Sequence, residues 1–99
     1  MATVTSLSDL DETPHAEVFE DHDPRVVRLE LDAGDRVPRH QHPDSTIVIH
    51  VMSGQIDLTL GDDEHELEAG DVIRFDGEQD VSPEAIVDAA ALVVFIPTA

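Results

Sequence analysis

The chain contains no cysteine, no tryptophan, no tyrosine and no lysine, and only three phenylalanines. Without cysteine there is no disulfide framework and no thiol chemistry. No apolar run is long enough to span a membrane, and no basic segment precedes an apolar one at the N-terminus, so no signal peptide is expected. The expectation is a soluble, cytoplasmic protein. Positive charge is scarce too. The five basic residues are all arginines (Arg25, Arg28, Arg36, Arg39 and Arg74), and 23 acidic residues bring the formal net charge to -18. No basic patch exists to neutralise phosphates, which excludes nucleic acid and anionic membranes as expected partners.

The acidic residues are spread along the whole chain rather than gathered in a tail. In dilute buffer such a surface repels itself and weakens the compact state. At ~1 M salt the Debye length is only about 3 Å, and that repulsion is largely screened. Complete loss of lysine alongside this acid excess resembles the composition of proteins from salt-in halophiles.

With 99 residues, 40% of them hydrophobic, the chain suits one domain with a modest core. Residues 1–14 are polar with isolated leucines and read as a leader; residues 15–99 read as the folded body. Within that body, short apolar segments alternate with turn signals. RVVRLELD (Arg25–Asp32) has period two, and DAGD (Asp32–Asp35) is a turn. STIVIHVMSG (Ser45–Gly54) is a β-branched run closed by glycine. In QIDLTLGDDE (Gln55–Glu64), Ile56, Leu58 and Leu60 fall on one face and Asp57 and Thr59 on the other. Gly61–Asp63 is a hairpin turn, HELEAGDVIRF (His65–Phe75) turns at Ala69–Asp71, and ALVVFIP (Ala91–Pro97) is a last buried strand. Ser82 and Pro83 would suit a helix start. Strand or irregular structure is favoured there, because the alanines run into the final strand without a stop. Many short strands with glycine turns predict an all-β barrel or sandwich.

One stretch carries candidate chemistry. In RHQHPD (Arg39–Asp44), His40 and His42 stand at i and i+2, which share a face in extended backbone. GDRVPRHQHPDSTIVIHVMSG (Gly34–Gly54) resembles the first motif of the cupin family, with Gly34, His40, His42 and Gly54 in register and Pro43 after the second histidine. AGDVIRF (Ala69–Phe75) resembles the start of the family's second motif. The resemblance covers roughly Arg25 to Pro97. It implies a double-stranded β-helix, or small jelly-roll barrel, usually dimeric. It also implies a metal held by two histidines and a glutamate from the first motif and one histidine from the second. This chain departs from that set. Thr46 and Ile47 occupy the two positions open to the glutamate. The second motif's histidine falls on Asp80 if the motif is shortened by one residue, and on Val81 if it is not. No histidine follows His65.

Three readings of RHQHPD follow. In the first, His40, His42 and Asp80 hold a divalent transition metal such as iron, manganese, nickel or zinc, a two-histidine, one-carboxylate set with open positions. In the second, the barrel binds a small organic ligand without metal, as a non-catalytic sensor or accessory protein. In the third, the pair is only polar rim. His50 lies in an apolar strand. It faces outward if Ile47, Ile49 and Val51 face the barrel, and inward, as a substitute ligand, if a bulge after Pro43 shifts the parity; the outward placement is favoured. His65, His15 and His22 are expected at the surface. Arg39 and Arg74 are expected in ion pairs, with a carboxylate-anchoring role as the alternative. Because Ser45–Ser53 is apolar on both faces, a homodimer is expected.

Overall fold

The structure, a computed structural model, describes residues 2–22 and 24–98. Eight strands follow in chain order: β1 (His15–Glu17), β2 (Arg25–Leu31), β3 (Ser45–Ser53), β4 (Gln55–Leu60), β5 (Asp63–Glu68), β6 (Val72–Asp76), β7 (Val81–Ala85) and β8 (Ala89–Pro97). They form a five-stranded sheet in the order β1-β2-β8-β3-β6 and a three-stranded sheet in the order β5-β4-β7. Every pairing is antiparallel. Among the described residues no helix is long and apolar enough to cross a membrane.

Period-two patterning decides which face each strand buries. On β4, Ile56, Leu58 and Leu60 are buried while Asp57 and Thr59 are only half-buried. On β3, Ile47, Ile49 and Val51 enter the core, with Val27, Leu29 and Leu31 of β2 and Ala91 and Val93 of β8 beside them. The two inner faces close on each other through these side chains, in the manner of a sheet-on-sheet sandwich. Ser82 and Pro83 lie in β7, not in a helix. Pro83 has no N–H to give to a ladder, and its carbonyl accepts from Val37 N at 3.0 Å.

Two features outside the strands position the cavity rim. The segment from Gly34 to His42 runs along the free edge of β7 as an irregular fourth strand. Arg36 pairs with Glu84 and His40 with Val81, and further bonds run from Gly34 N to Ala85 O, 2.9 Å, and from Val37 N to Pro83 O, 3.0 Å. The N-terminal segment turns once as a 3-10 helix at Leu7–Asp9 and lies against the outer face of β2. There Arg28, only 7% exposed, donates to the carbonyls of Leu7 (3.2 Å), Leu10 (3.1 Å) and Glu12 (3.4 Å).

Candidate functional site

Between the inner faces of the two sheets a cavity of about 540 Å³ opens, a volume within the usual range of small-molecule sites. One rim is built from β1 and the start of β2. Register sets it: His15 pairs with Leu29 and Glu17 with Val27, so both side chains share the inward face of the core residues they oppose. Arg25 has the same parity as Val27 and also lines the cavity. The other rim is the segment bound to β7, which brings Arg39, His40 and His42 to the opening.

His40 is held by its backbone. Its N–H donates to Val81 O (3.1 Å) and its carbonyl accepts from Val81 N (2.9 Å). Its Nδ1 lies 2.8 Å from Pro38 O. A carbonyl only accepts, so Nδ1 carries the proton and the neutral ring keeps its lone pair on Nε2. His42 N donates to Gly77 O at 2.7 Å, and its ring meets His40 edge to face at 4.7 Å and Phe95 at 4.8 Å. Across the opening, Arg25 stacks 4.6 Å from the centre of the same Phe95 ring. It pairs side-on with Glu17, Nε to Oε1 at 3.1 Å and Nη2 to Oε2 at 2.9 Å. His22 Nε2 reaches the same carboxylate at 3.1 Å.

These groups feel one another. Burial, followed by the charge of His40 and then that of Arg25, holds both His15 and His42 below the ordinary histidine value. Glu17 is held below the usual carboxylate range, first by its hydrogen bond from Arg25. The rings of His15 and His42 therefore favour the neutral form near pH 7.

His40 and His42 come together as their spacing predicts, and Asp80 does not join them. Asp80 is not in the cavity lining. Its Oδ1 accepts from Gln41 Nε2 at 2.8 Å and its Oδ2 lies 3.9 Å from Arg39 Nη1. Its carbonyl takes Gly61 N at 2.9 Å. Of the two positions open to the family's glutamate, Ile47 is an apolar part of the cavity wall and Thr46 has the outward parity, opposite Asp76. His50 is exposed on the outer face; the ladder from Thr46 to His50 is unbroken, and the irregularity in β3 comes later, between Val51 and Ser53. Among the described residues, no three histidine or carboxylate side chains come close enough to hold one metal. The donor set therefore does not fit a transition metal held in the manner the motif implies.

His15 is exposed, as expected, and its place at the surface is the cavity rim. Only the pairing of a three-residue strand with β2 turns it inward, and nothing local in PHAEV announces that pairing. Arg25, which anchors the same rim, carried no distinguishing signal beyond its place at the start of an alternating strand. His65 is exposed, as expected.

Two facing antiparallel sheets, closed around an apolar core with an open mouth, define a small single-domain double-stranded β-helix. The cupin domain profile matches residues 27–97, and the chain belongs to the cupin family. Among solved structures it is similar to a predicted oxalate decarboxylase from Thermotoga maritima, at 18% identity and TM-score 0.84, covering 96% of this chain and 99% of that one. It is also similar to KdgF from Halomonas sp., at 20% identity and TM-score 0.80, covering 96% and 94%. A third is the cupin domain of Schizosaccharomyces pombe Cnp3, at 18% identity and TM-score 0.80, covering 95% and 72%. Identities this low show the shared fold. No curated protein sequence matches the chain.

Proposed function

We propose that this cupin binds a small organic molecule in the cavity between its sheets and does so without a tightly held metal, as a sensor or accessory protein in the cytoplasm. One observation carries the reading: the cavity is large enough for a ligand, yet among the described residues no third donor stands close enough to its histidine pair to share a metal. The charge of -18 supports a small molecule rather than nucleic acid as partner. A second reading keeps the metal on His40 and His42 alone, with Asp80 recruited by rearrangement. The lone pair that Pro38 fixes on His40 Nε2 favours it.

Metal analysis of protein purified without an affinity tag or chelator separates the two. The expected result is far less than one equivalent of iron, manganese, nickel, zinc or copper after desalting near neutral pH. One retained equivalent that His42→Ala removes and His65→Ala does not would overturn the metal-free reading.

A further inference from the structure

We propose that the ligand is a monocarboxylate with an apolar body, its carboxylate held at the rim by Arg25 and the facing imidazoles and its body lying against the apolar walls. The proposal rests on the reading that the cavity binds a small molecule and goes on to name its chemistry.

The first support is a local inversion of charge. The chain has 23 acidic residues against five arginines, yet among the described residues no aspartate or glutamate belongs to the cavity lining. The lining does include two of the five arginines and three of the six histidines: Arg25, Arg39, His15, His40 and His42. Glu17, which reaches this rim, is already paired with Arg25 and His22, so in a molecule whose remaining surface repels anions the basic lining favours an anion.

The second support is geometry. Arg25 already demonstrates carboxylate recognition, because it binds Glu17 through Nε and Nη2 side-on while Phe95 supports the guanidinium plane. A planar donor fork fixed in this way matches a carboxylate better than a lysine or a lone imidazole would. The third support is the rest of the wall. Apart from those five basic residues every lining side chain is apolar, Ile49, Phe75 and Val93 among them. A ligand rich in hydroxyl groups would lose its water there and find few hydrogen-bond partners in return. One charged end and an apolar remainder suit the cavity; a sugar acid or a compact dicarboxylate does not.

Titration calorimetry on the full chain in molar salt tests this with hexanoate and benzoate, their neutral amides, and oxalate and glucuronate. The apolar monocarboxylates are expected to bind about tenfold or more tighter than their amides, the worth of one charge-assisted contact, and tighter than oxalate or glucuronate. Arg25→Gln should bring acid and amide to the same affinity. Arg25→Lys, which keeps the charge but loses the fork, should fall between. Acid and amide binding equally in the unaltered protein would overturn the proposal while leaving the ligand-binding reading standing, and this comparison depends on no variant folding. Oxalate or glucuronate binding better than hexanoate and benzoate would overturn the apolar body. No binding by any probe would overturn both the proposal and the reading beneath it.

Discussion

Gly77 has no side chain, and the space a Cβ would take is filled by the carbonyl oxygens of His42 and Ser45. Gly77 also binds both neighbours, accepting from His42 N at 2.7 Å and donating to Ser45 O at 2.8 Å. Alanine there must push away the loop that holds His42. Gly77→Ala is expected to destabilise by about 1–3 kcal/mol, the usual cost of overpacking, and to weaken ligand binding as well. Denaturant unfolding and calorimetry check both, and a fully stable variant would show that the approach is not required. His42 carries a second prediction. Its folded pKa lies below the ordinary 6.5, so as pH falls through that value the unfolded chain takes up a proton that the folded chain resists. The ring therefore subtracts stability on the acid side and subtracts nothing above its unfolded pKa. His42→Gln, which cannot take up that proton, should lose less melting temperature than the unaltered protein between pH 7 and pH 5 at ~1 M salt, where surface repulsion is screened. Equal losses would remove His42 as a contributor.

Among the elements, the N-terminal segment and the strap along β7 bind to opposite sides of the mouth. Arg28 ties the first through three backbone carbonyls and an ion pair to Glu30 at 3.3 Å, while its Nε is buried with no partner among the described residues. Ala16 shares the outer face with Arg28 and is buried there, so the segment covers the back of the very strand that presents His15 and Glu17 inward. Arg28→Met keeps most of the packing volume and removes the donors. It should cost about 2 kcal/mol, the scale of a charged hydrogen bond, and should expose residues 2–14 to limited proteolysis before the barrel is cut. If cleavage there does not increase, the arginine is not what holds the segment.

For the whole molecule, charge sets the conditions under which the fold survives. With a net charge of -18 and no lysine, the midpoint of thermal unfolding should rise between dilute buffer and roughly 1 M potassium chloride, as screening shortens the reach of repulsion. An unchanged midpoint would remove the salt-adapted interpretation. The outer face of the five-stranded sheet leaves Val72 62% and Ile96 43% exposed beside Val48 and Val94. On that basis sedimentation in high salt is expected to show a homodimer, and a species of monomer mass alone would count against it.

Much of the fold follows from patterning that any reader of the chain can see. Alternation in Gln55–Leu60 and Arg25–Leu31, and the glycines that punctuate it, specify strands, and in Gln55–Leu60 also the face that is buried, because side chains in extended backbone alternate strictly. The glycine and histidine spacing from Gly34 to Gly54 likewise marks the family and brings His40 and His42 together, since that relation is local. What stands opposite the pair is not local. His15, Glu17 and Arg25 reach the mouth only because β1 pairs with β2 and β2 with β8, and Asp80 leaves the site because the β6–β7 turn gives its carboxylate to Gln41. Strand pairing joins residues far apart in the chain, and a shift of one residue would reverse every side chain involved. The sequence therefore determines the barrel and its histidine pair, and the tertiary register alone decides that the pair faces an arginine and a third imidazole instead of a metal-completing carboxylate.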